Sequence, residues 1–242
     1  MFLRRTLLAL ATAASLAPLL GAGAARAQSP TDPRVVITTT EGVITVELYP
    51  DKAPITVANF LRYVDRRLYD GTTFYRASKP RGQVANDYGA IQGGLRDDVK
   101  KKLPPIAHES TLKTGIKHTD GAISMGRYAP GTAQADWVIC IGDMTYLDAT
   151  ATDPGFAAFG RMIDGKPVAE AILGKPTDPN AGVGAMKGEI LLHPVKIVSI
   201  RRAPPPDPAA AASTVAPAST PAAPAATTAP PTPAPASAAP KA

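Results

Sequence analysis

Apolar and polar positions follow patterns along the chain that assign most of its elements. Val35-Val36-Ile37-Thr38-Thr39-Thr40 is β-branched throughout, and Glu41-Gly42 interrupts it. In the run that follows, Ile44, Val46 and Leu48 alternate with Val43, Thr45, Glu47 and Tyr49. A period of two turns successive side chains to opposite faces, so the first set faces a core and the second faces away from it. Two such runs around a Gly-bearing turn predict a hairpin. Pro54 then suits the start of a helix, because the N–H it lacks would be an orphan there. Val57, Phe60, Leu61, Val64 and Leu68 form an amphipathic stripe, with Arg62, Asp65, Arg66 and Arg67 off it and Asp70-Gly71 ending the segment.

Beyond this point the pattern becomes shorter and more broken. Thr72-Thr73-Phe74-Tyr75-Arg76 reads as a strand, residues 78–86 as a polar loop, and residues 90–94 as a short Gly-rich strand. Residues 95–118 form a long irregular excursion through Pro104-Pro105. Residues 121–126 and 137–141 predict two core strands joined by the turn-rich Ala129-Pro130-Gly131-Thr132-Ala133. Residues 156–163 predict another, closed by Asp164-Gly165, and Val168, Ala171 and Ile172 begin a second helix. In the last run Val195, Ile197 and Ser199 oppose Lys196, Val198 and Ile200. Many short strands with two helices predict a mainly β, closed antiparallel barrel, although periodicity alone fits a sandwich equally well.

Composition divides the chain in three. Met1-Phe2-Leu3-Arg4-Arg5, an uncharged apolar run over residues 6–20, and Ala25-Arg26-Ala27 have the layout of a secretory signal peptide, 1–27. A membrane anchor is the alternative, but the run is short for a span of about 20 residues. No stable membrane span is expected after cleavage, and the product is expected to be periplasmic or secreted. Arg4-Arg5 also fits a twin-arginine address. Residues 203–242 are nearly all Ala, Pro, Ser and Thr, a composition that cannot offset its ordering entropy by burial, and they read as a flexible tail. Residues 28–202 suffice for one domain with one core.

Half of the formal charge of +6 comes from Arg4, Arg5 and Arg26, and what remains argues against a nucleic-acid partner. Lys100-Lys101-Lys102 and Asp97-Asp98 read as a solvated loop. The lone Cys140, inside an apolar run, reads as a small buried hydrophobe. His108-Glu109 has no second His four residues on, and His118 and His193 are scattered, so no metal site is expected.

Several segments resemble a known family. Leu48-Tyr49-Pro50-Asp51-Lys52-Ala53-Pro54 through Phe60 resembles the opening of the first cyclophilin helix. Phe74-Tyr75-Arg76 resembles the strand that ends in the family's catalytic arginine. Ile91-Gln92-Gly93-Gly94, the run from His118 to Met125, and Ala158-Phe159-Gly160-Arg161-Met162 resemble three further strands, in family order. The resemblance implies an eight-stranded antiparallel barrel capped by two helices. It also implies peptidyl-prolyl cis-trans isomerase activity on proline-containing, unfolded or partly folded polypeptides, without a cofactor, by an expected monomer.

By the same resemblance Arg76 is the catalytic donor, and Gln92 orients it and holds the substrate backbone. Gly126 and Arg127 match the stretch that binds the residue before proline. Phe74, Ala90, Val138, Leu147 and Phe156 are the expected substrate-contacting apolar groups. Departures cluster at the pocket. Gly89-Ala90 stands for a Phe-Met pair, Val138 for an aromatic residue, Phe156 for a histidine and Tyr146 for a tryptophan, and residues 78–82 replace a Pro-Gly-Phe loop. The alternative expectation is a module that binds proline segments with little catalysis.

Overall fold

The computed structural model describes residues 32–96 and 98–204. The expected leader, the tail beyond Pro204 and Asp97 lie outside the described residues.

β1 (Arg34–Thr39) and β2 (Gly42–Leu48) form the expected hairpin, in which Val35 pairs with Val46 and Ile37 with Ile44, all fully buried. Glu47 departs from its expected exposure. It is only 2% exposed because Arg34, directly opposite, folds over it and donates from Nε and Nη2 to Oε1 at 3.1 and 3.0 Å.

The remaining strands are β3 (Thr73–Ser78), β4 (Gly89–Gly94), β5 (Ala122–Met125), β6 (Trp137–Ile141), β7 (Ala157–Asp164), β8 (Thr177–Asp178) and β9 (Ile190–Arg202). They are antiparallel neighbours in the order β1-β2-β7-β5-β6-β4-β3-β9, and β9 returns to β1. This closes eight strands into a barrel and removes the sandwich alternative. β8, two residues long and not predicted from the pattern, attaches to the start of β9 outside that ring.

The helices are α1 (Pro54–Asp65), the single turn α2 (Thr111–Thr114) within the excursion, and α3 (Lys166–Leu173). α1 begins at Pro54 as expected. The carboxylate of Glu109 caps it, accepting from the backbone N–H of Ile55 and Thr56 at 3.1 and 2.7 Å, so the excursion satisfies donors that a first turn leaves orphaned. The helix ends before Leu68. Arg67 adopts φ 55°, its N–H donates to Val64 O at 3.0 Å, and the N–H of Leu68 donates to Tyr63 O at 2.9 Å. This is a Schellman termination, which keeps Leu68 against the core while taking it out of the helical stripe. On α3 the buried face is Ala169, Ile172 and Leu173, whereas Ala171 is exposed.

Inside the barrel, Phe60 of α1 lies 5.5 Å from Tyr69, 5.3 Å from Phe159 and 5.9 Å, edge-on, from Trp137, with ring centroids as reference. α3 packs at the other ends of the strands, where Leu173 meets Gly89 and Val168 meets Gly42. In β9, Ser199 pairs with Thr38 and Ile197 with Thr39, so Val198 is an extra, bulged residue. The bulge inverts the alternation, which is why Val195, Ile197 and Ile200 all face inward and Val198 is exposed. Of the Lys run, Lys100 and Lys101 are exposed as expected and Lys102 is not. Lys102 pairs with Asp136 at 3.2 Å, its side chain 17% exposed.

Candidate active site

The strands that direct Ile91, Ile123 and Ile139 into the barrel turn their alternate residues outward. On that outer surface Ala90, Ala122, Cys140 and Met144 form a second buried apolar cluster, and Tyr88, Val138 and Leu147 pack against it. Burial pushes the Cys140 thiol up to about 12, with the charges of Asp148 and Asp120 adding to the effect, so this cysteine is an inert part of that layer. Three of the expected pocket residues, Ala90, Val138 and Leu147, thus share one patch.

Arg76 reaches the same surface through an irregularity. β3 pairs Phe74 with Gly93 and Arg76 with Gln92, leaving Tyr75 as a bulge. Without the bulge Phe74 and Arg76 would share a face. With it, Phe74 points inward, fully buried and edge-on to Trp137 at 5.2 Å, while Arg76 and Gln92 point outward together. The expectation that Phe74 contacts substrate is therefore corrected, since it has no exposed surface.

The guanidinium of Arg76 is held on both sides. Nη1 donates to Gln92 Oε1 at 2.8 Å. Nε and Nη2 donate to Glu189 Oε2 at 2.8 and 2.6 Å, and Nη2 also donates to Ala185 O at 3.2 Å. Arginine offers five N–H groups. With one hydrogen per acceptor, a single Nη1 N–H has no acceptor among the described residues. Glu189 was not expected. It precedes β9, more than a hundred positions from Arg76, and only the pairing of Arg76 with Ile190 brings it there.

Gly126 serves this arrangement by its size. A Cβ there would lie 3.2 Å from Gln92 Nε2 and 3.2 Å from Asp136 O, so the glycine makes room for the Gln92 amide. The guanidinium of Arg127 stacks 4.7 Å from the centroid of the Phe156 ring and donates through Nε to Gly155 O at 3.0 Å. Phe156 in turn donates its N–H to Leu147 O at 2.9 Å, which joins it to the patch. Gly89 explains one departure from the family pattern. Its φ is 147° and a Cβ would lie 2.3 Å from Ser78 O, so no side chain fits there. Tyr146 is exposed, and its phenol is raised chiefly by partial burial, with Glu189 adding and Arg76 opposing; it lies within electrostatic reach of the Arg76–Glu189 pair.

Beneath the patch, His118 Nδ1 lies 2.7 Å from Asp148 Oδ1 and Nε2 lies 2.9 Å from Ser124 Oγ. Burial lowers the His118 pKa despite Asp148, so the ring is neutral, donating from Nδ1 and accepting from the serine. The connectivity is that of a hydrolase triad, but Ser124 and His118 are both 0% exposed and no acyl group can reach the hydroxyl. The network instead fastens the segment carrying Leu147 and Asp148 to β5. Of the other histidines, Nε2 of His108 lies 2.9 Å from Pro154 O, and Glu109 is spent on capping α1.

Comparison with known proteins places the chain in a family. Residues 34–202 match the family described as "Cyclophilin type peptidyl-prolyl cis-trans isomerase/CLD". A peptidyl-prolyl cis-trans isomerase of Acinetobacter baylyi is 32% identical over 168 residues, covering 69% of this chain and 84% of that protein. Peptidyl-prolyl cis-trans isomerase A of Dickeya dadantii is 34% identical over 172 residues, covering 70% of this chain and 84% of its own. Crystal structures of a Cryptosporidium parvum cyclophilin-type isomerase, one of them in the presence of the dipeptide Ala-Pro, share the fold with a TM-score of 0.57. They are 20% and 21% identical to this chain, covering 72% and 71% of it and 99% of theirs. The barrel, its matched span and its relatives agree that this chain belongs to the cyclophilin-type peptidyl-prolyl cis-trans isomerases.

Proposed function

We propose that Arg76 is the group that lowers the rotational barrier, that Gln92 orients it, and that the proline ring rests on Ala90, Val138, Leu147 and Phe156. An X–Pro bond rotates slowly, against about 18–20 kcal/mol, because the nitrogen shares its lone pair with the carbonyl. As the bond twists, the nitrogen becomes pyramidal and the lone pair is freed. A donor aimed at that lone pair stabilises the twisted state more than the planar one, which is the requirement for catalysis. No nucleophile, metal or redox step enters this route.

The observation that carries the reading is Arg76 Nη1, fixed by Gln92 at 2.8 Å beside the outer apolar patch and retaining one N–H with no acceptor among the described residues. The main chain at Gly126 and Arg127 runs beside Gln92 and would hold the residue before proline. Small side chains at Ala90 and Val138 leave the proline site wide.

The test is the isomerisation rate of a short Ala-Pro peptide. Arg76→Ala is expected to lower kcat/KM about ten-fold or more, which is about 1.4 kcal/mol of transition-state stabilisation. An unchanged rate would remove Arg76 from the mechanism.

We further infer that the substrates are exported polypeptides and that the enzyme works as a monomer in the periplasm or outside the cell. The basic start, the apolar run and Ala25-Arg26-Ala27 support export. Cell fractionation and N-terminal sequencing of the mature protein test it: the expected first residue is Gln28, and an intact leader on cytoplasmic protein would refute it.

A further inference from the structure

The geometry points to Glu189 as a positioning residue for the isomerisation, acting through Arg76; this rests on the reading of Arg76 as the donor. An arginine side chain gives up its rotamer freedom when fixed. A single hydrogen bond from Nη1 to Gln92 would leave the guanidinium free to pivot about that contact. Glu189 removes the pivot by taking Nε and Nη2 on the opposite edge, at 2.8 and 2.6 Å, while Ala185 O takes the second Nη2 hydrogen at 3.2 Å. The plane of the fork is then set before any substrate arrives, and among the described residues the second Nη1 N–H is left without an acceptor.

Glu189 is itself held at each end. Its Oε1 accepts from Ser78 Oγ at 2.9 Å, its carbonyl accepts from Ala77 N–H at 3.0 Å, and its own N–H donates to Met186 O at 3.1 Å. Ser78 lies two positions past Arg76 on the same strand, so β3 supplies both the arginine and the hydroxyl that aims its carboxylate. Both partners of the ion pair are mostly buried, at 19% and 24% side-chain exposure, where the pair is shielded from the screening that weakens surface contacts. A group fixed in advance spares the reaction the ordering that a mobile donor would require in the transition state. Glu189 therefore contributes to kcat, and substrate binding on the apolar patch does not depend on it.

A carboxylate can also act in the opposite sense, by drawing donor strength from the guanidinium. The two roles separate in kinetics. The experiment measures kcat and KM on an Ala-Pro peptide for the wild type, Glu189→Ala, Glu189→Gln, Arg76→Ala and the double variant Arg76→Ala/Glu189→Ala, with thermal unfolding of each.

Positioning predicts that Glu189→Ala lowers kcat about ten-fold with KM within about two-fold. Glu189→Gln, whose amide oxygen still accepts one N–H, should recover part of that loss. On the Arg76→Ala background the second substitution should change kcat by less than about two-fold, because residues acting through one group are not additive. A rise in kcat on Glu189→Gln, an unchanged kcat in both single variants, or an equal loss on the Arg76→Ala background would overturn the role. If Arg76→Ala itself retains full activity, the donor assignment fails first and Glu189 falls with it. If Glu189→Ala does not fold, Glu189→Gln and its double variant with Arg76→Ala give the same decision.

Discussion

The two apolar clusters of this barrel are built on opposite principles. The inner one is made of large rings and branched chains, with Phe60, Tyr69, Phe74, Trp137 and Phe159 in mutual edge or tilted contact. The outer one is made of small groups, Ala90, Ala122 and Cys140, with Met144, and it is bordered by polar and charged residues held in hydrogen bonds. Filling the inside maximises area removed from water, about 25 cal/mol per Å². Keeping the outside small leaves a shelf where another chain's ring can sit. The same strands feed both clusters, because each turns alternate residues to opposite faces, so stability and activity are written on alternating positions of β4, β5 and β6.

Substitutions can break that separation or sharpen it. The largest expected effect is inside. Phe60→Ala should cost about 3–5 kcal/mol of unfolding free energy, read by denaturant titration, while kcat/KM per folded molecule stays within about two-fold. A matching loss of activity would show that the clusters are coupled.

His118→Leu comes next and acts on the join between the layers. It strands Asp148 and Ser124, and a loss of about 3 kcal/mol is expected. The same residue gives a pH signature. Burial holds the His118 pKa below its ordinary value of 6.5, so as pH falls the unfolded chain binds the proton first. Stability from this group is complete above about pH 6.5 and declines below it, and His118→Gln should flatten that decline in denaturant midpoints taken between about pH 7 and 5. A decline that persists unchanged in the variant would assign it to other groups.

The smallest effect is the most selective. Gly126→Ala should lower kcat/KM by about three- to ten-fold by displacing the Gln92 amide a few tenths of an ångström, with a thermal midpoint moved by only a few degrees. A wild-type rate would mean that the amide has slack.

What the sequence disclosed follows this division. Inward positions of β2 and α1 were legible because alternation and the helical stripe are local signals. Leu68 and Ile200 were misplaced at a Schellman turn and at a bulge, where the backbone changes parity without any marker in the side chains. Arg76, Gln92, Ala90, Val138 and Leu147 entered through family resemblance, since nothing in their spacing identifies chemistry. Glu189 had no signal at all. Its role depends on strand register across most of the domain, and an acidic residue ahead of a strand is ordinarily just solvated.

The barrel's last seam joins its first strand to its last. Val35 pairs with Arg202, and Ala203 N–H donates to Arg34 O at 2.8 Å. A chain made or threaded from its N-terminus therefore carries β1 with one side unpaired until Arg202 has emerged. The fold closes like a clasp rather than growing like a zip: no product that ends before β9 can complete it, and β1 keeps one open side until β9 is made. A peptidyl-prolyl isomerase of this topology thus cannot close its own barrel until its last strand has been made.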